Sequence, residues 1–133
     1  MTGVQVKLAI IDTSSIMFGF SHRRNTFDAV RYALHDHTLY LSGAVVRELH
    51  QLARNRGRQG AAARVALQEL RYKNIKGSNK SLSNADLDIM RVAGGHKGSA
   101  VITNDTALSK RLRSSGVEVF KLSISGRLMK VLR

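Results

Sequence analysis

Short apolar runs alternate along this chain with segments that have the spacing of amphipathic helices. The runs lie at 4–12 (VQVKLAIID), 38–43 (TLYLSG), 99–104 (SAVITN) and 117–123 (VEVFKLS). Their aliphatic content predicts strands that are buried on both faces. Helical segments are predicted at 25–37, 42–55, 61–73, 84–95 and 105–116, with Ser42 as the N-cap of the second and Gly116 at the C′ position of the last. The polar segment 74–84 is expected to be an exposed loop, and the basic tail 124–133 a closing strand or helix. The alternation predicts an α/β domain of three layers, with a mainly parallel sheet of four to five strands and right-handed crossovers.

The size and composition of the chain limit the remaining choices. Its 133 residues suit one domain, 1–133, built on one core. No apolar run approaches the roughly 20 residues of a membrane span, and the first residues do not resemble a signal peptide. We therefore expect a soluble, cytoplasmic protein without membrane contact. The absence of cysteine excludes disulfides, thiolate metal sites and cysteine nucleophiles.

Charge indicates the class of partner. The chain has 22 Lys and Arg residues against nine Asp and Glu residues, a net charge of +13. The basic residues are scattered rather than gathered on one amphipathic helix, which favours nucleic acid over a membrane surface. The alternative interpretation is a basic surface that is simply solvated.

Four of the nine acidic residues fall near the ends of predicted strands. Asp12 ends the first strand and Asp105 follows the third. Glu48 lies in the first turns of the helix after the second strand, and Asp86 in the first turn of the helix before the third. In a parallel sheet all four lie at the carboxyl edge, where such folds collect their functional groups.

Each acid also has an ordinary structural explanation. Asp12 suits an Asx-turn, Asp105 an N-cap, and Asp86 a capping box with Ser83. Glu48 suits a solvated position beside an apolar stripe. Asp88 stands about 200° around the helix from Asp86, so we expect Asp86 on the buried face and Asp88 in solvent.

Taken together, the four acids favour a metal site. Clustered carboxylates repel one another unless a cation is present, and oxygen ligands suit Mg²⁺ or Mn²⁺, as one or two ions. Such a cation lowers the pKa of water and supports phosphodiester hydrolysis without a protein nucleophile. Thr13 and Ser14 are expected to orient Asp12, and Thr103 to act in the same way near Asp105.

The same segments resemble the PIN-domain nucleases. The similar stretches are IIDTSSIM, SGAVVRELHQLA, ADLDIMRVA and VITNDTALSKRLRSSGVEVF, in that order over nearly the whole chain. The resemblance implies an α/β/α sandwich, a ribonuclease dependent on Mg²⁺ or Mn²⁺, the four acids as metal ligands and catalytic residues, and often a homodimer. Members of the family's rRNA-processing branch often carry two adjacent acids after Ala, where this chain has Asp86 and then Leu87, so the resemblance supports the four acids and not a fifth ligand.

The resemblance leaves the role open between two branches of the family. The basic stretches at 54–71 and 103–117 resemble more closely the rRNA-processing branch, which includes archaeal relatives of the eukaryotic small-subunit PIN endonucleases. The alternative is a VapC-type toxin, which cuts tRNA or rRNA and is paired with an antitoxin protein. A PIN-like RNA-binding domain with little catalysis is a further alternative. The candidate RNA contacts are Arg23, Arg24, Arg54, Arg56, Arg58, Lys110 and Arg111.

Overall fold

The structure is a computed structural model that describes residues 6–72, 76–77 and 84–132 of the chain. The strands are β1 (Leu8–Ile11), β2 (Thr38–Leu41), β3 (Lys76–Gly77), β4 (Ala100–Ile102), β5 (Glu118–Leu122) and β6 (Leu128–Lys130). The helices are α1 (Thr13–Ser21), α2 (Thr26–Ala33), α3 (Gly43–Leu52), α4 (Arg58–Tyr72), α5 (Ala85–Gly94) and α6 (Thr106–Ser114).

The strands form one sheet in the order β3-β2-β1-β4-β5-β6. All neighbouring strands are parallel except β5 and β6, which are antiparallel. The chain moves from β1 to β2 and β3 on one side, then returns to β4 and β5 on the other. Right-handed crossovers in opposite directions place their helices on opposite faces, so the three-layer α/β/α prediction is confirmed. The order reverses between β1 and β4, which is where open α/β sheets form their crevice.

The two central strands are buried along their whole length. All four residues of β1 and all three of β4 are buried, as a sheet covered on both faces requires. Ile11 pairs with Ile102, and the backbone N–H of Asp12 donates to the Ile102 carbonyl at 2.9 Å. This register sets Asp12 and Thr103 side by side at the carboxyl edge.

Local signals in the sequence predicted several helix ends. Ser42 caps α3 by accepting a hydrogen bond from the Val45 N–H at 3.3 Å, as expected. Gly116, with φ +81°, follows the end of α6 in the left-handed conformation that favours glycine. The helix predicted over 25–37 is shorter, since Leu34 already has non-helical dihedral angles.

One strand of the sheet was not predicted, and another agrees with one of two predicted alternatives. The segment 74–84 was expected to be an exposed polar loop, yet Lys76 and Gly77 pair with Tyr40 and Leu41 at the edge of the sheet. Residues 74–75 and 78–83 of that segment lie outside the described residues. The basic tail, expected to be a strand or a helix, forms β6 against β5. Within the described ranges, no helix is long and apolar enough to cross a membrane.

Candidate active site

Asp12 is held at the end of β1 by two hydroxyl groups. Its side chain is buried, and its Oδ2 atom accepts hydrogen bonds from Ser14 Oγ at 2.6 Å and from Thr103 Oγ1 at 2.8 Å. Ser14 belongs to the first turn of α1, whereas Thr103 follows β4. The carboxylate therefore has a fixed orientation at the switch point of the sheet.

The contacts of the three predicted orienting residues differ. Ser14 contacts Asp12 as expected. Thr103 also donates to Asp12, and its Oγ1 accepts the backbone N–H of Asp105 at 3.0 Å. Thr13 does not make the expected contact, because its buried Oγ1 has no hydrogen-bond partner in the described part of the chain. The reason is spacing: the residue two positions after Asp12, rather than the next one, turns its hydroxyl back to the carboxylate.

Asn104 links the site to two further elements, a role that was not predicted from the sequence. Its Oδ1 accepts from Ser15 Oγ at 2.8 Å and from the Leu122 N–H at 3.1 Å, while its Nδ2 donates to the Leu122 carbonyl at 2.9 Å. The side chain thus joins α1, the end of β4 and the end of β5. The signal that could have identified Asn104 is its position after a buried strand, between Thr103 and Asp105.

Asp105 is the N-cap of α6. It is exposed, and its Oδ1 accepts the backbone N–H of Leu108 at 3.1 Å. The cap interpretation is therefore right for this residue. Capping engages one carboxylate oxygen and keeps the side chain at the carboxyl edge, beside Thr103.

Asp86 lies in the first turn of α5, but it does not depend on the expected capping box. The cap is Asn84, whose Oδ1 accepts the N–H groups of Asp86 and Leu87 at 2.9 and 3.2 Å. Ser83, the expected partner of Asp86, lies outside the described residues. With Asn84 as the cap, the Asp86 carboxylate is not required for capping.

The negative charges of the other three acids affect the pKa of Asp86. Burial raises the pKa of its carboxyl above the ordinary 3.8, and the charges of Asp12, Asp105 and Glu48 raise it further, while Arg111 lowers it. Such effects require charges that lie near one another. The four acids, which come from four different elements, therefore share one electrostatic environment.

The chemistry of these groups suits a hard divalent cation. Four carboxylates offer oxygen ligands of the type that Mg²⁺ and Mn²⁺ prefer, and a cation would relieve the repulsion that raises the pKa of Asp86. Over residues 6–72, 76–77 and 84–132, however, no three acidic or histidine side chains are already arranged to hold an ion. The charges of the four acids therefore act on one another, but within the described residues their side chains are not arranged as a complete coordination shell.

The expectation for Asp88 was wrong. Asp88 is fully buried, whereas Asp86 is half-buried. One Asp88 oxygen accepts the Ala44 N–H at 3.2 Å and the other lies 3.0 Å from the Arg91 guanidinium. The buried face of α5 consists of Asp88, Ile89, Val92 and Ala93, so the inward direction differs from the expected one. Asp88 connects α5 to the first turn of α3. These two helices carry Asp86 and Glu48, respectively.

The predicted basic residues do not form one cluster around the acids. Arg111 is exposed on α6 and lies near enough to lower the pKa of Asp86, and Lys110 is exposed beside it. Arg24 reaches the turn after β5, where its Nε donates to the Ile124 carbonyl at 3.1 Å. The other candidates are also exposed: Arg23 after α1, Arg54 and Arg56 after α3, and Arg58 at the start of α4.

Comparisons with known proteins agree with this architecture. A comparison with curated protein sequences finds no match. Among solved structures, the PIN domain endonuclease Utp24 is similar with a TM-score of 0.72 and 23% identity, over 93% of this chain and 92% of that one. A domain of a functionally unknown protein from Methanocaldococcus jannaschii is similar with a TM-score of 0.63 and 20% identity, over 96% of this chain and 99% of that one. At these identities, the likeness establishes a shared fold.

The family itself is established by sequence. The family model for the PIN-like domain matches residues 9–124, which include the four acids and every strand of the sheet from β2 to β5. The chain therefore belongs to the PIN-like domain family.

Proposed function

We propose that this protein is an endoribonuclease that requires a divalent metal and hydrolyses RNA phosphodiesters at the carboxyl edge of the sheet. Membership of the PIN-like family supports a nuclease. The observation that carries the proposal is the meeting of Asp12 and Asp105 at the carboxyl edge, where Thr103 Oγ1 donates to the Asp12 carboxylate at 2.8 Å and accepts the Asp105 N–H at 3.0 Å. Burial and the charges of Asp12, Asp105 and Glu48 raise the pKa of Asp86 beside them. A protein with few acids thus maintains a repulsive group of carboxylates, and a bound cation removes that repulsion.

The four acids Asp12, Glu48, Asp86 and Asp105 would hold Mg²⁺ or Mn²⁺. When bound, such a cation activates water and stabilises negative charge on the phosphodiester oxygens. The residues around the acids have separate roles. Ser14 and Thr103 hold the Asp12 carboxylate in one orientation by donating to its Oδ2.

Charge supports RNA as the substrate. The net charge of +13 attracts a polyanion, and Arg111 lies beside the acids, where it would contact a phosphate next to the scissile bond. We propose an rRNA precursor as the substrate, because the resemblance in the stretches 54–71 and 103–117 favours the rRNA-processing branch.

A cleavage assay on rRNA precursors and tRNA tests the proposal. We expect cleavage in Mg²⁺ or Mn²⁺, none in a chelator, and none by Asp12→Asn. Asp36→Asn is the matched control, because Asp36 is an exposed acid that precedes β2 at the opposite edge. Binding without cleavage under all metal conditions would overturn the nuclease in favour of an RNA-binding domain. Cleavage of tRNA but not of rRNA precursors would favour the toxin branch.

A further inference from the structure

A groove of about 660 Å³ lies between α2 and the turn that joins β5 to β6. Its lining includes Arg24, Tyr32 and Arg127 and none of the four acids. Its volume falls within the range of roughly 300–1,000 Å³ that is typical of small-molecule sites. The groove is therefore large enough for part of an extended ligand, and it is separate from the candidate active site.

Tyr32 lines this groove, and its side chain is almost fully exposed to solvent. It is 90% exposed, whereas Tyr40 in β2 is half-buried. Exposed aromatic rings are the platforms on which unpaired bases stack in proteins that bind single strands. The chain has no Trp and three Tyr residues, so an aromatic side chain left in solvent here is a specific feature of the surface.

Two arginines give the groove its positive charge. Arg24 lies across Gly126, where an added Cβ would stand 2.9 Å from Arg24 Cδ, and its Nε donates to the Ile124 carbonyl. These contacts hold the guanidinium against the turn. Arg127 is exposed on the same turn. The acid of the groove, Asp28, is offset by Arg31 at 3.6 Å.

The turn that forms one wall of the groove begins at the acidic edge of the sheet. The Asn104 side chain, one residue before Asp105, binds both backbone groups of Leu122, and the turn that carries Arg127 follows directly. On the other side, α1 begins beside Asp12 and ends shortly before Arg24. This nine-residue helix is about 14 Å long, a distance that a strand of a few nucleotides covers.

We propose that this groove binds the single-stranded RNA that flanks the cleaved phosphodiester, with a base stacked on Tyr32 and phosphates held by Arg24 and Arg127. The inference rests on the proposed function, which makes RNA the substrate. A duplex does not fit this chemistry, because its bases are already stacked and their faces are covered. A second copy of this chain is disfavoured as the occupant of this groove, because its charge of +13 would face the two arginines.

The first test measures binding without cleavage, in a chelator, by fluorescence anisotropy of a labelled poly(U) strand. We expect Tyr32→Ala to weaken binding roughly tenfold and Tyr32→Phe, which keeps an aromatic ring, to bind within about twofold of the parent. Binding of an RNA duplex is expected to be unchanged by either variant. Equal binding of the single strand by Tyr32→Ala and the parent protein overturns the proposal.

A spectroscopic measurement distinguishes stacking from a structural role. Because the chain has no Trp, its emission comes from tyrosine, and a stacked base quenches it. We expect poly(U) to quench the parent protein and to quench Tyr32→Phe much less, although that variant keeps its affinity. Equal quenching in both proteins contradicts stacking on Tyr32.

The charge contribution has its own control. Arg24→Ala and Arg127→Ala are each expected to reduce the slope of log affinity against log salt by about 0.7. Lys97→Ala removes the same charge from an exposed position before β4, at the opposite edge, and is expected to leave the slope unchanged. An equal change in all three variants overturns the assignment of phosphate contacts to this groove.

The outcomes separate this inference from the nuclease proposal. If binding depends on Tyr32 but no metal supports cleavage, the groove binds RNA and the nuclease proposal is wrong. Cleavage in Mg²⁺ with no dependence of binding on Tyr32 supports the nuclease and overturns the groove. A dimer in light scattering that is lost in Tyr32→Ala, with RNA affinity unchanged, assigns the groove to a second copy and also overturns the inference.

Discussion

The hydroxyl of Thr103 donates a 2.8 Å hydrogen bond to the Oδ2 atom of Asp12, across 91 positions of sequence. Thr103 is 1% exposed, and its Oγ1 also accepts the backbone N–H of Asp105 at 3.0 Å. One buried hydroxyl therefore connects the acid that ends β1 with the acid that caps α6. This hydroxyl ties the Asp12 carboxylate to the backbone that carries Asp105.

Thr103→Val removes this connection while keeping the shape of the side chain. We expect it to lower the free energy of unfolding by about 1–3 kcal/mol, because the Asp105 N–H and the buried Asp12 carboxylate each lose a partner. Cleavage should fall as well. Urea unfolding and the cleavage assay measure the two effects.

Thr13→Val is the matched control for that substitution. The Thr13 hydroxyl is buried and has no partner among the described residues, so its removal is expected to leave stability unchanged or slightly raised. If both valine substitutions destabilise equally, loss of the Thr103 hydrogen bonds is not the cause.

The parts of this site that were predictable depend on local chemistry. Asp12 could be found because an apolar run ends there, and Asp105 because an acid before a helix is a cap signal. The parallel sheet then brings such strand ends to one edge. Ser42 and Gly116 were predictable for the same reason, since a cap involves only residues in the adjacent turn.

The parts that were missed depend on tertiary contacts. Asp88 is buried because the Ala44 N–H on another helix binds it, and helical spacing alone does not reveal that partner. Asn104 binds Leu122, which is 18 positions away. Thr13 and Ser14 are chemically similar, and which of them contacts Asp12 is decided by the dihedral angles at the start of α1.

Asp88→Ala is expected to destabilise the protein by about 1–3 kcal/mol. It leaves the Ala44 N–H without its acceptor at the start of α3, in a place shielded from water. Because Asp88 joins α3 and α5, the substitution should also weaken cleavage by displacing Glu48 from Asp86. Asp88→Asn is the comparison. Asparagine keeps a side-chain oxygen that can accept the Ala44 N–H, so Asp88→Asn is expected to destabilise the protein less than Asp88→Ala. A larger cost for Asp88→Asn than for Asp88→Ala would contradict this view.

Asp86→Asn is expected to stabilise the protein at neutral pH in the absence of metal. The raised pKa of Asp86 means that the folded state disfavours its charged form. Above that raised pKa, the ionised carboxylate lowers the stability of the fold. As the pH falls through the folded-state pKa toward 3.8, protonation relieves this cost. The gain from Asp86→Asn should therefore be largest at neutral pH and disappear in acid.

Thermal unfolding of Asp86→Asn and the parent protein over a pH series measures this difference. Asp36→Asn is the control, because the hydrogen bond from His37 lowers the pKa of Asp36 instead of raising it. That variant is expected to show no gain in melting temperature at neutral pH. A destabilised Asp86→Asn protein at neutral pH would show that the carboxylate is not under repulsion.

Mg²⁺ or Mn²⁺ is expected to raise the melting temperature of the parent protein and not that of Asp12→Asn. A ligand that binds only the folded state stabilises it by about 2.7 kcal/mol at 100 times its dissociation constant. Asp36→Asn should keep the full metal effect, since Asp36 pairs with Lys7 at 3.6 Å before the start of β2. Equal metal effects in all three proteins would place the cation elsewhere.

Arg111→Ala is expected to change both RNA binding and the behaviour of Asp86. Arg111 is exposed on α6, and its charge lowers the pKa of Asp86, so its removal should raise that pKa further and strengthen the gain from Asp86→Asn. If Arg111 contacts a phosphate, the slope of log affinity against log salt for a single strand should fall by about 0.7. Lys97→Ala, which removes a charge at the opposite edge, should alter neither quantity. An unchanged salt slope in Arg111→Ala, together with weaker cleavage, would mean that Arg111 acts through the acids and does not touch the RNA.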